Sequence, residues 1–454
     1  FLIPGIYAVQ ASQFAKQTNF DAQFKENYYR NHKNQFPLLK NFDATKKISS
    51  ETNNLLKLNL PKDIVIPKNK NEVIIKKLKP MSLKEIEELV NRNNPELKIM
   101  NERVNQAKQL LKSKLAEWYP SISLSANGLP EYFSVNQDRN PDFGSDTKGT
   151  QWRTSVSAQV KWNLIDPARI PAIKAARDTY EKAKDSYLIL LRDRRLSAAN
   201  KYFLLQRADE GVRIGKQSVK ASLLSLRDAK ARFDAGVATR LEVLEAETQL
   251  ARDQQLLTSK LGDQKITRRS LAATLNLDPG ITPIAAEVAQ VIGTWNSSLE
   301  ESIIAAYSFR EELKQSLLDI SINNSNANVA LAASQPVLSL VNTISYSKNQ
   351  GQTGISTSSS VDMDDYTSSV SNSIGINATW KIFDGGQSKA LYKYNKSKAK
   401  EAKQSFISQK NRIREEVEQS FYTLQTANQD IATTTREVLA SRESLRLARL
   451  RFQA

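Results

Sequence analysis

The sequence predicts an α+β fold, internally duplicated, in which very long coiled-coil helices are joined to four β-strands. Three observations lead there. An ordered set of landmarks recurs 216 to 219 positions apart, two helical tracts run for 69 and 70 residues, and short stretches alternate apolar and polar residues with period two.

The landmarks come first, because a repeat governs every later assignment. Ser82 and Ser298 each open a Ser-x-x-Glu pattern and lie 216 positions apart. Leu97 in "NPEL" and Leu313 in "REEL" keep that offset, as do Pro120 and Pro336. Trp162 of "WNLIDPA" and Trp380 of "WKIFDGG" are 218 apart, and Arg232 of "RFDAGVATRLEVLEAE" and Arg451 of "RFQA" are 219 apart. The expectation is a first repeat over 81–297 and a second over 298–454, cut short at its helix tip.

Residues 1–11, "FLIPGIYAVQA", read either as the remnant of a signal peptide, with small Val9 and Ala11 at cleavage spacing, or as a short buried segment. Residues 12–80 are basic and rich in Asn and Lys, the composition of an extended arm or linker. A helix is then predicted from Ser82 to Glu117, and its counterpart from Ser298 to Ala333.

Strands follow at 120–128 and 152–162, and again at 337–347 and 370–380. In the second, Trp152, Val156, Ala158, Val160 and Trp162 share one face while Arg153, Ser155, Ser157, Gln159 and Lys161 share the other. Ten residues at about 3.3 Å each, tilted about 45°, rise roughly 23 Å, the height of a membrane β-barrel's apolar band with aromatic girdles at its edges. Trp152, Trp162 and Trp380 are therefore the candidate interface residues. A sheet packed on its own core has the same alternation. The intervening segments 129–151 and 348–370, polar and rich in Ser, Asn, Asp and Gly, favour the barrel as its outward loops. Four strands cannot close one, so chains must pool them.

Asp166-Pro167 and Asp384-Gly385 carry helix-start signals. The long helices then span 167–235 and 385–454, each about 105 Å. Ile173, Ala176, Tyr180, Ala183, Tyr187 and Leu190 step alternately by three and four, and Val219, Leu226, Ala229 and Phe233 continue a seam for supercoiled packing. Gly236 supplies a left-handed helix end, and Thr239 with Glu242 forms a capping box for a return helix over 240–275. The segment 276–297 bulges between helices lying end to end.

On these residues the chain, from about Met81 to Ala454, resembles the TolC-type outer-membrane efflux protein family. The resemblance implies a homotrimer whose twelve pooled strands form a barrel in outer-membrane lipid and whose helices form a periplasmic α-barrel. It implies an exit duct for efflux or type I secretion that engages a periplasmic adaptor and an inner-membrane transporter. Carried over residue by residue, the adaptor-contact tip is Ala235, Gly236 and Val237 with Leu241 nearby. Glu242 stands where relatives hold the gate closed, a role that competes with its capping function.

Composition narrows the alternatives. The net charge of +17, from 65 Lys and Arg against 48 Asp and Glu, permits an anionic partner without naming one. One histidine, His32, and no cysteine leave no His-based triad, no thiolate metal site and no cofactor motif, so no enzyme is expected. No run of 18 apolar residues appears, which excludes an ordinary transmembrane helix. A coiled-coil tether or a nucleic-acid-binding rod would leave the amphipathic strands unused, and no nucleic-acid partner is expected.

Overall fold

A computed structural model describes residues 77–137, 147–356 and 365–453. The readings for 1–11, for 12–76 and for Ala454 lie outside them.

The described chain begins with strand β1 (Lys77–Met81), within what the sequence suggests is linker. It pairs in parallel with β4 (Ile281–Ala285), which lies in the segment expected to be an irregular bulge. Lys77, Lys79 and Pro80 give β1 no strand-like pattern, and its partner lies about 200 residues away.

Ser82 caps helix α1 (Leu83–Asn93) by accepting the Glu85 N–H. The predicted reciprocal bond is missing, because the Glu85 carboxylate takes Lys79 Nζ at 2.7 Å instead. The expected single helix to Glu117 is two helices. Asn94 is extended (φ −63°, ψ 120°), as a residue before proline prefers, and Pro95 starts α2 (Pro95–Ala116). The Asn94 side chain accepts from the N–H groups of Glu96 and Leu97 and donates to Thr274 O, so the break is fully bonded. The second repeat breaks at the equivalent place: α5 (Leu299–Phe309) and α6 (Glu311–Ala332) flank an extended Arg310 that has no side-chain cap.

The long helices are α3 (Arg169–Asp234) and α7 (Gln387–Gln453), and the return helix is α4 (Arg240–Thr274). Both long helices start two residues later than expected. Asp166 and Asp384 instead accept N–H groups two residues on, Ala168 N at 3.0 Å and Gly386 N at 2.9 Å, in turns that precede the helix.

Helix α3 lies against α1, α2, α4 and α6, while α7 lies against α5 and α6. The α3 seam is buried at Ile173, Ala176, Leu226 and Ala229. Around the first break, Ile86, Val90, Tyr202, Leu205, Leu271 and Leu275 form the main apolar core. The α3–α6 contact is polar by comparison: Lys314 Nζ meets Asp185 at 2.8 Å, Ser321 donates to Asp178 at 2.6 Å, and Arg192 is clamped by Glu312.

One antiparallel sheet carries the remaining strands in the order β2-β3-β5-β6: β2 (Ser121–Gln137), β3 (Thr147–Ile165), β5 (Val337–Ser356) and β6 (Asp365–Thr379). All but β6 are markedly longer than predicted, and the supposed loops 129–151 and 348–370 are mostly strand. Next to the Trp152 row the strands carry polar residues on both faces, as where Thr367, Ser368 and Ser369 stand opposite Asn349, Lys348 and Ser347, so alternation disappears while the hydrogen-bond ladder continues.

Candidate functional site

Residues directly opposite in a β-ladder project from the same face, so the register sorts the sheet. On one face lie Ile122, Val160 and Ile374, with Asn342 between them; Leu124, Ala158 and Ile344, with Asn372; and Ala126, Val156, Tyr346 and Val370. Ile122, Leu124, Val370 and Ile374 are all more than 70 % exposed, although they are among the most apolar residues of the sheet. A water-facing sheet has no reason to display them; a hydrocarbon-facing one does. The two asparagines satisfy each other, Asn342 Nδ2 donating to Asn372 Oδ1 at 3.1 Å.

The opposite face is a ladder of hydroxyls and amides. Ser345 bonds Ser371 at 2.7 Å, Ser347 bonds Ser369 at 2.8 Å, and Gln159 donates to Thr343 at 3.2 Å. Between the girdles its only charged residues are Lys161, Arg153 and Glu131, the last two paired in register. A bulge at Gly128 (φ +60°), where an added Cβ would sit 2.6 Å from Arg153 O, restores the facing of β2 above it.

Aromatic residues bound the apolar face. Trp152 sits in one row with Tyr132 and Tyr366, and its ring lies 5.1 Å from that of Tyr132. Lys348 reaches over the Tyr366 ring at 4.9 Å. At the other edge, Trp162 Nε1 donates to Trp118 O at 3.0 Å and Trp380 Nε1 donates to Ser334 O at 3.0 Å, the same clasp in both repeats. Trp380 lies one residue beyond β6 rather than at its end. Tyr132 and Tyr366 carry no sequence signal because only the register places them beside Trp152, and Trp118, in the turn after α2, because only its carbonyl's bond from Trp162 does.

The helix tip is built at the far end of α3. Gly236 (φ +73°) closes it: Gly236 N–H bonds Phe233 O and Val237 N–H bonds Arg232 O, both at 2.9 Å. Thr239 and Glu242 form the reciprocal capping box of α4, with the Glu242 N–H donating to Thr239 Oγ1 and the Thr239 N–H donating to Glu242 Oε1. The other Glu242 oxygen faces Arg232 at 3.4 Å, tying α4 back to α3. Val237 and Leu241 stand 73 % and 63 % exposed, and nothing lies within 4 Å of where a Gly236 Cβ would be. Behind them Val243 is buried against Leu226 and Ala229. The structure thus brings Ala235, Gly236, Val237, Leu241 and Glu242 together in one hairpin. Trp152 and Trp162 lie on the sheet, and Trp380 lies one residue past the end of β6.

Among the described residues, no cluster of His, Asp or Glu could hold a metal ion, and no helix is long and apolar enough to cross a membrane.

Known proteins match this architecture. The chain is 28 % identical over 171 residues to Protein CyaE of Bordetella pertussis, covering 37 % of this chain and 34 % of that protein, so the match spans about a third of the relative's length. The outer-membrane channel OprN superposes with a TM-score of 0.66 at 17 % identity, over 82 % of this chain and 80 % of that one. The outer membrane protein VceC of Vibrio cholerae superposes with a TM-score of 0.65 at 16 % identity, over 82 % of this chain and 85 % of that one. At these identities the likeness is one of fold. The family model described as "Outer membrane efflux protein" matches residues 88–277 and 305–454, which together make up most of the sequence. This match and the two-faced sheet agree on a protein of the outer membrane, and the chain belongs to the outer membrane efflux protein family.

Proposed function

We propose that the chain is one third of a homotrimeric channel-tunnel, the passive exit duct of a tripartite efflux pump or a type I secretion system. The observation that carries this reading is the sheet with one lipid-compatible face, one hydroxyl-lined face and two unpaired edges. Among the described residues, the outer strands β2 and β6 each have a neighbour on one side only. Each unsatisfied backbone group in hydrocarbon costs several kcal/mol, so the edges must be joined to other copies. Three sheets of four strands give twelve, which is enough to close a barrel.

Energy for transport has to come from partners. The exposed Val237 and Leu241, with Ala235 and Gly236, form the surface on which a periplasmic adaptor and an inner-membrane transporter would act. Glu242 is read as a fastener of the closed tip: its Arg232 contact holds the hairpin, and a partner that draws the hairpins apart competes with it.

The test exploits the absence of cysteine from the whole sequence. Single cysteines placed in pairs along β2 and β6, scanned through register and oxidised in outer membranes, should yield covalent trimers in one narrow register. A protein that yields no species above the monomer at any register would refute the trimer.

A further inference from the structure

We infer that Lys161 is a selectivity residue: in the closed barrel, three copies form a cationic ring at the tunnel-side mouth that favours anions and anionic solutes over cations. This rests on the trimeric duct proposed above.

Lys161 lies on the hydroxyl-lined face, in the row Ser121–Lys161–Val341–Gly375, one residue from the lower clasp tryptophan Trp162. Two arginines of this region are occupied. Arg153, higher on the same face, stands opposite Glu131, stacks on the Phe133 ring at 4.1 Å and donates to Gln151. Arg169 is buried, lies over the Trp118 ring and donates to Asn163 O. Lys381 lies close enough to the Asp384 carboxylate to help hold it below its ordinary range, behind the larger effects of the Ser388 and Gly386 donors. Lys161 is exposed, and no described carboxylate pairs with it. Apart from Lys161 itself and from Arg153 and Glu131, opposite charges that face each other in register, that face between the girdles is uncharged.

Distance decides whether one lysine per copy matters. Twelve strands about 4.8 Å apart and tilted about 40° put the backbone roughly 12 Å from the axis. A lysine reaching inward about 6 Å leaves its ammonium about 6 Å from the axis, inside the Debye length of about 8 Å at physiological salt. Three such charges therefore act on every ion that passes, and the effect fades at about 1 M salt, where that length is about 3 Å.

The experiment is a reversal-potential measurement on the full chain in planar bilayers under a potassium chloride gradient, comparing the parent with Lys161→Gln, Lys161→Glu and Lys161→Arg. The chloride-to-potassium permeability ratio should fall by about twofold or more in Lys161→Gln, fall further in Lys161→Glu, and persist in Lys161→Arg. In parallel, Lys161→Cys, the sole thiol of its chain, should react with charged water-soluble thiol reagents in inserted channels, and a cationic adduct should return the parent's ratio. Channels that conduct with the same reversal potential in parent, Gln and Glu variants overturn the inference and leave the duct standing. A thiol shielded from water overturns it equally. A parent that never conducts and never forms trimers removes the duct, and this inference with it.

Discussion

The two helical junctions descend from one motif and meet different fates. In the first, Ile86 and Val90 of α1 are fully buried, Leu97 follows them into the core, and the β1–β4 ribbon covers the joint. In the second, the equivalent positions hold Ser302 and Ala306. The helix α5 instead borders an open groove of about 610 Å³ between Trp295, Phe309 and Phe421. Phe309 is 81 % exposed. The difference lies in two inward-facing side chains and one strand pair, not in helix lengths or the position of the break. A duplicated frame can thus be kept while one copy becomes a core and the other a surface.

Ionic bonding replaces apolar burial at the second junction. Arg310 bonds Glu416 of α7 at 3.1 Å and approaches Glu312, which also holds Arg192 of α3. Burial pushes the Glu312 carboxyl up, but the Arg192 hydrogen bonds, its own backbone N–H and the charges of Arg192 and Arg310 outweigh this and leave it below the ordinary value of 4.5. The Glu312 partnership holds the Arg192 guanidinium well above its usual range.

Truncation at matched positions separates the two junctions most strongly. Ile86→Ala should cost about 3 kcal/mol, because a fully buried side chain leaves a cavity, whereas Ser302→Ala should cost at most about 1 kcal/mol, the loss of its bond from Trp295. Unfolding of the detergent-solubilised protein measures both, and equal losses would erase the distinction between core and surface.

A smaller effect tests the ionic junction. Glu312→Gln should cost about 1–2 kcal/mol at neutral pH, since both partners are partly exposed. A depressed carboxyl stabilises the fold above its unfolded value of 4.5 and loses that contribution as pH falls through the lower folded value. The gap between parent and variant should therefore be constant near neutrality and close below pH 4.5. A gap that survives in acid would assign the loss to packing.

The smallest effect compares the breaks themselves. Asn94→Ala removes a cap serving two N–H groups and should cost about 1 kcal/mol, while the uncapped second break offers no equivalent loss. Hydrogen exchange at Glu96 and Leu97 reports it directly, and unchanged protection there would show that the side chain does not hold the break.

Much of this was legible in the residues. The landmark offsets and the tryptophan alternation lead to an α+β duplication with four strands, and Trp152 and Trp162 lie on the apolar face. The break at Asn94-Pro95 is missed: the expectation carries one helix from Ser82 to Glu117, although a proline disfavours a helical residue before it. Arg310 has no such mark; only translation by the repeat would locate it. The β1–β4 pairing is parallel and non-local, and "KLKPM" contains nothing that announces a strand. The upper strand segments, such as Thr367-Ser368-Ser369, are polar on both faces and read as loop because only cross-strand bonding makes them strand. Lys161 could be seen on the polar side of β3, but that it lacks a counter-charge depends on three other strands.

The unshared amides and carbonyls along β2 and β6 also bear on how the protein matures. A newly made subunit that arrives alone has no resting place in hydrocarbon, and in water its outermost strands invite adhesion to anything extended. Supply therefore becomes a folding variable. Because the encounter of copies is steeper than linear in their abundance, a modest fall in synthesis should shrink the finished population disproportionately and leave the stragglers to proteases.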